Sequence, residues 1–396
     1  VTPAAPLFGQ APVSAHLAAH AVAALTRVDP VPGATDLTEL RVVQPALMAR
    51  VAGPARLSLL ATLDLEGATI SEGELTAGVW GEGFIDRRHP HTYVHELLLT
   101  GDDLLGRLDG VTRISLTAGK GFAPFGTDDP MSRPVLRYPV NHHLAQVLER
   151  AVVIGAVNYG PVSAEVGLFN GDEPEQPDQW PLMKRFGDSW SARLTGRPIG
   201  GVELQASRAD VHSPENRAGA GPDQEKWSVS GRWVGPVAGH PVYGLVEWAR
   251  TSEADGFFEF SSVLAEGAWT GGRHRLYYRF ERTERAEDER VSRFRTLRPH
   301  QENSLLGITR WTIHTAGWSA VLLDRTRMTL APVVEVSYGR VAEIGGGLFD
   351  VAQTYGRDYF WSWTLGLRFE YGGGPHRMGR YGAALEVEAP HRHRGM

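Results

Sequence analysis

The stretch Tyr359–Tyr371, YFWSWTLGLRFEY, constrains the chain more than any other. Tyr359, Trp361, Trp363, Leu365, Leu367, Phe369 and Tyr371 fall on one face of an extended strand. Phe360, Ser362, Thr364, Gly366, Arg368 and Glu370 fall on the other. A period of two is the strand signature. The first face is too long and too aromatic to be bathed in water, and the second carries charges that a dry sandwich core would accept only paired. Lipid on the aromatic side and water on the other satisfies both, with Trp and Tyr suited to a membrane–water interface. An edge strand of a soluble sandwich accounts equally well for this stretch alone. The repetition along the chain decides between them.

No run of about 18 apolar residues occurs, so no membrane helix is expected. The mean hydropathy of −0.24 does not exclude a membrane barrel, because alternating strands hide their apolar face in the average. With no cysteine among 396 residues, a disulfide scaffold, thiol catalysis and thiolate metal sites are excluded. The net charge of −6 argues against a nucleic-acid partner. Lys120, Lys184 and Lys226 are the only lysines against 37 arginines, a bias that suits fixed ion-pair ladders and that GC-rich coding would also produce. The chain opens at Val1 without a charged-then-apolar segment, so a signal peptide, if there was one, is expected to be already absent.

Residues 1–14 read as a loose lead-in, and residues 16–27 suit either a helix or a first strand. Beyond them alternation recurs. Leu57, Leu59, Ala61 and Leu63 interleave with Arg56, Ser58, Thr62 and Asp64; Trp227, Val229 and Trp233 with Ser228, Ser230 and Arg232; Leu276, Tyr278 and Phe280 with Arg275, Tyr277, Arg279 and Glu281. Short turns near Gly53, Gly160, Pro198, Gly235 and Gly271 alternate with long polar connections at 65–90, 120–149, 171–188, 211–225, 285–302 and 340–356. A β-propeller would show repeats of equal length, and there are none. The expectation is an all-β fold over residues 1–371: a transmembrane antiparallel β-barrel of about 16 strands, with short periplasmic turns and long extracellular loops. Residues 372–396 form a tail, or contribute the final strand at residues 381–387.

Two constellations carry the functional expectations. Residues 120–149 are the longest gap, stiffened by Pro124, Pro130, Pro134 and Pro139, and hold Lys120, Asp128, Asp129, Arg133 and Arg137. Charges of this kind at a constriction set ion preference. The inward ladder of the wall is Arg56, Asp64, Arg193, Glu203, Arg232, Arg275, Arg279, Glu281, Glu335 and Arg368, with Glu370 beside it. The second constellation is His89, His91, His95, His142 and His143. Imidazole binds zinc, copper or nickel, but the spacing matches no zinc motif, so hydrogen bonds to carboxylates or loop backbone are expected and no metal or other cofactor is called for. A nucleophile elbow is absent, and Ser189 and His143 are far apart in sequence; no enzyme is expected.

The run Gly119-Lys120-Gly121-Phe122-Ala123-Pro124-Phe125-Gly126 at a strand end, followed by an oversized third loop, resembles the bacterial porins. That resemblance implies a loop folded into the barrel and narrowing it. Asp86-Arg87-Arg88-His89-Pro90-His91, His142-His143, Phe169-Asn170-Gly171-Asp172-Glu173-Pro174, Asp188-Ser189-Trp190-Ser191-Ala192-Arg193, Ser213-Pro214-Glu215 and Tyr278-Arg279-Phe280-Glu281 follow in order. Together they resemble a family of predicted bacterial outer-membrane proteins, although Thr92 stands where an acid is expected. The resemblance implies a bacterial outer-membrane location and says little about substrate. The function expected is a porin passing small polar or anionic solutes. The alternatives are a non-conducting scaffold for a surface or electron-transfer assembly, and a metal-handling barrel using the loop histidines. Expected partners are outer-membrane lipid, lipopolysaccharide, small polar solutes, and a further copy of the chain or an accessory envelope protein.

Overall fold

The computed structural model describes residues 13–53, 56–69, 91–104, 111–174, 176–289 and 305–385. Its strands in chain order begin with β1 (Ser14–Val31), β2 (Thr35–Ala52), β3 (Leu57–Asp64), β4 (Val94–Gly101), β5 (Thr112–Gly121) and β6 (Arg150–Tyr159). β7 (Val162–Phe169), β8 (Ser189–Gly196), β9 (Val202–Val211), β10 (Gln224–Val237), β11 (His240–Glu253) and β12 (Phe258–Gly271) follow. The last are β13 (His274–Asp288), β14 (Leu305–Ala320), β15 (Leu323–Arg325), β16 (Met328–Gly347) and β17 (Tyr359–Tyr371). All neighbours pair antiparallel, and β1 pairs with both β2 and β17, which closes the sheet. β15 is a three-residue strand folded onto β16, while β14 pairs with β16 directly, so 16 strands make the wall.

Closure settles the ambiguous start of the chain. The alanines near His16 suit a helix in isolation, yet β1 is bonded from Ala19↔Tyr371 to Asp29↔Trp361 on one side and from Ser14↔Ala52 on the other. Leaving it helical would expose the free edges of β2 and β17. β17 is thus the closing strand. Residues 372–385 contain no strand, only the 3-10 turn Gly382–Ala384; of the alternative final strand at residues 381–387, residues 386 and 387 lie outside the described residues.

The two faces of the wall differ as the alternation requires. Leu59, Leu99, Leu194, Val229, Val246, Leu276 and Leu365 are exposed on the outside, a continuous apolar belt. Trp190, Trp227 and Trp361 lie toward the strand ends joined by the longer connections; Tyr159, Trp269 and Tyr371 lie toward the opposite ends. On the inside, Glu165, Arg193, Glu247, Arg279 and Glu281 are all buried, because residues 122–149 and 372–385 cover them. Leu365 sits at the middle of β17 and is 58% exposed, so Leu365→Arg is expected to cost about 2–4 kcal/mol in a bilayer, whereas Tyr371→Arg at the strand end should cost about 0–1 kcal/mol. Urea unfolding in liposomes measures both, and equal costs would remove the lipid belt.

Candidate functional site

The connection from β5 to β6 turns into the barrel. Phe122, Phe125, Met131 and Leu148 pack with Ile154 and Phe169 of the near wall. Val135, Leu136 and Tyr138 reach Val22, Val43, Tyr277 and Val333 on the far side. The tight entry requires glycine at position 126: φ is +66°, and a Cβ would stand 1.7 Å from the Ala145 carbonyl oxygen. Pro124 rests against Gly167 of β7, where a Cβ would come within 2.6 Å of the ring. Asp129 caps the turn Pro130–Ser132 by accepting from Met131 N at 2.8 Å.

A buried loop must find partners for its peptide groups. The charged ladder of the wall supplies them. Leu136 N and Arg137 N donate to Glu335 at 2.5 and 3.2 Å, and Val140 N donates to Glu281 at 2.8 Å. Arg279 donates to the Arg137 carbonyl at 2.6 Å and Arg193 to the Gly126 carbonyl at 3.2 Å. The same arginines hold wall carboxylates, Arg193 with Glu165 at 2.6 and 2.7 Å and Arg279 with Glu266 at 2.7 Å. Of the loop cations, Arg133 lies 3.7 Å from Glu247 and 4.0 Å from Glu266, and Arg137 contacts Glu281. Burial and then the neighbouring Arg279 push the Arg137 guanidinium down to about 9, against the pull of Glu335, which leaves it charged at neutral pH. Arg368 donates to the Pro134 carbonyl at 3.4 Å, and Glu370 lies 3.8 Å from His20. Lys120 donates to the Thr92 hydroxyl.

Two members of the expected ladder stand at the short-turn rim. Arg56 has φ of +61°, which takes it out of the alternation of β3, and it pairs with Asp103 at 3.0 Å on the short-turn rim. Arg275 faces inward by register but is exposed at the end of β13, beyond the inserted segments.

The tail enters the lumen from the end opposite the longer connections and meets the loop. Arg377 donates to both oxygens of Asp128 at 2.8 and 2.9 Å and to Glu203 at 2.9 Å. Arg380 reaches Glu203 at 3.1 Å and Thr195 at 3.1 Å, and Arg232 stands 3.8 Å from Asp128. Tyr381 donates to Glu96 at 2.8 Å and accepts from Phe122 N at 3.0 Å, and His376 lies 3.0 Å from Glu96. Burial alone would raise the Asp128 carboxyl, but Arg377 and Arg380 outweigh it and hold it well below the usual carboxylate range.

The histidines gather where β3, β4 and the loop converge. The ring centroids of His91 and His95 are 4.9 Å apart, those of His91 and His142 5.5 Å, and those of His142 and His143 5.0 Å. A carboxylate stands beside each: Asp64 at 3.3 Å from His91, Glu149 at 3.0 Å from His95, Asp129 at 3.4 Å from His142 and Glu173 at 3.4 Å from His143. Glu149 also accepts from Thr92 N and its hydroxyl at 2.8 and 2.7 Å. Burial would raise its carboxyl, but His95 and Lys120 hold it below the ordinary range. His143 lines a cavity of about 100 Å³ together with Arg150, Glu173, Lys226, Glu253 and Arg285. Asp64, expected in the wall ladder, belongs to this cluster; His89 lies outside the described residues.

No protein-family model and no curated protein matches the chain. Solved structures do. The anion-selective porin from Comamonas acidovorans is similar with a TM-score of 0.54 at 10% identity, covering 91% of this chain and 100% of that one. Salmonella typhi OmpF in complex with daunomycin gives 0.52 at 9% identity, with 90% and 97% covered. The outer membrane channel DcaP of Acinetobacter baumannii gives 0.51 at 10% identity, with 91% and 97% covered. The fold is that of a porin barrel. At these identities the likeness is one of fold, and the lumen of this porin-like barrel has to be read from its own residues.

Several of those residues escape sequence reasoning. Glu247 and Glu266 sit at inward positions of β11 and β12, where extending the alternation would have found them. Glu149 closes the loop, but only its contact with His95 marks it. Arg377, Arg380 and Tyr381 follow the last strand and carry no periodicity. Replacing both Arg377 and Arg380 with Ala leaves Asp128 only Arg232 and Glu203 only Arg197 as neighbouring cations, a local loss of at most about 3–5 kcal/mol, and hydrogen exchange over residues 372–385 should accelerate while the wall stays protected. Because the folded Asp128 carboxyl titrates below its ordinary value of 3.8, its contribution is complete above that pH and is lost only as pH falls further through the depressed value. Tail protection contributed by this anchor should therefore fade only in acid below about pH 4; protection that persists unchanged in strong acid would contradict the Asp128 anchor.

Proposed function

We propose that this protein is a porin-like channel of the bacterial outer membrane, non-enzymatic, through which small polar solutes diffuse passively. The observation that carries the reading is the wall itself: 16 strands close with apolar side chains outside and a charged interior into which the third long-end connection folds. In this reading the longer connections are extracellular, the short turns, the start of β1 and the end of β17 periplasmic, and lipid and lipopolysaccharide surround the belt. Residues 120–149 form the constriction, with Lys120, Asp128, Asp129, Arg133 and Arg137 at it, and the tail narrows the periplasmic half. One neighbour is named as anion-selective. Arg133 and Arg137, the reason to expect anions here, are both matched by carboxylates, and buried Asp and Glu outnumber buried Lys and Arg among the described residues. Polarity is thus better supported than anion preference, and the reversal potential in a KCl gradient should fall on the cation side.

The filled interior favours one further reading, a closed barrel that serves as a scaffold. Planar-bilayer recordings separate the two. Deleting residues 127–139, or separately residues 375–396, should raise single-channel conductance with the sheet intact by circular dichroism, because inserted segments add nothing to wall pairing. Absence of conductance in the full chain and in both deletions would sink the channel reading and leave the scaffold.

A further inference from the structure

We propose that His91, His142 and His143 bind one divalent transition-metal ion inside the barrel, with His95 as the adjacent further donor. One donor atom from each of His91, His142 and His143 lies within 4.8 Å of the others, and Asp64, His91 and His95 form a second such group that shares His91. Small side-chain rotations would bring these atoms to the spacing of ligands around one ion, whose bonds to imidazole nitrogen are about 2.0–2.1 Å for zinc.

The surroundings resemble those of a ligand set more than those of ordinary buried histidines. Each of the three imidazoles has a carboxylate at one ring nitrogen: Asp64 at Nδ1 of His91, Asp129 at Nε2 of His142 and Glu173 at Nδ1 of His143. At His91 the contact is a hydrogen bond, and a carboxylate accepting from one ring nitrogen leaves the lone pair on the other and raises its basicity; at His142 and His143 the carboxylates stand at 3.4 Å. The carboxylates are pinned in turn, Asp64 by Glu66 N at 2.8 Å and Asp129 by Met131 N at 2.8 Å. His95 repeats the pattern with Glu149 at Nδ1, and its Nε2 is buried without a hydrogen-bond partner, a costly state for a polar atom that a metal would relieve. Charge points the same way. Asp64, Glu66, Asp129, Glu149 and Glu173 converge around the four imidazoles, against Lys120 and Arg150. A dication would offset that excess. Imidazole donors without thiolate suit zinc, copper, nickel or iron. His143 is half-buried and lines the cavity at the longer-connection end, which gives the ion a way in.

The test uses the full chain, refolded in detergent and dialysed against a chelator. Titration with ZnCl2 followed by calorimetry, and with CoCl2 followed by its visible absorption, should show saturable binding of about one ion per chain, and Tm should rise with the logarithm of free zinc. His142→Ala and His91→Ala should abolish the cobalt spectrum. Glu173→Gln, which removes a backing charge that also faces Arg150, should weaken zinc binding by about 10–100-fold. His240→Ala, on the opposite rim, should change nothing and controls for surface histidines. No saturable binding by the folded wild-type chain, or binding that survives both His91→Ala and His142→Ala, would overturn the proposal. The result does not depend on whether the barrel conducts.

Discussion

Closure of the hydrogen-bond ladder is the constraint on which everything else rests. In hydrocarbon a free strand edge has no water to bond, so a sheet can stand there only if its first and last strands pair. β1 does this by bonding β2 and β17 over most of its length. Once the wall is closed, outward and inward positions are fixed by the period of two, and the chain acquires an apolar belt and a polar lumen together. The lumen is then the only compartment in which charged side chains and irregular backbone can coexist at membrane depth.

That compartment is occupied, and the chemistry of its filling is unusual for loop packing. The loop presents peptide N–H and C=O groups that have no sheet to join, and the wall answers with ionised side chains. Glu335 takes two successive N–H groups, Glu281 a third, and Arg193 and Arg279 take carbonyls. A charge buried in this way is expensive unless it is both paired and hydrogen-bonded. Arg193 and Arg279 meet both conditions, because each bonds the loop and also holds a glutamate. The charges therefore act as the adhesive between loop and wall, and fewer of them than their number implies are left to act on a passing ion. Asp128 extends the same logic to the tail, where with the Phe122–Tyr381 hydrogen bond it joins the loop to the C-terminal segment.

The histidine cluster differs in kind. Its imidazoles sit among an excess of carboxylates, and the contacts that orient them come from those carboxylates. Such a site asks for a cation, whereas the arginine ladder is internally balanced. The two parts of the lumen are thus separable, one holding the plug in place and the other poised to bind.

Alternation repeated along the chain, with short turns and long connections in turn, determined the fold class, because both are properties of residues near one another in sequence; in the structure Arg193, Glu203, Arg279, Glu281, Glu335 and Arg368 are buried. The proline-rich segment after β5 was legible as a special loop from its length and stiffness. What the sequence could not decide were the contacts between segments without periodicity. Nothing local indicates that the tail folds back to Asp128, that Glu149 is the partner of His95, or that His91 and His142, distant in the chain, lie side by side. Arg56 was misplaced because one residue of positive φ breaks the parity on which the inference depends. Strand geometry is a property of neighbours in sequence; the site is a property of neighbours across the lumen, and only closure of the barrel brings those together.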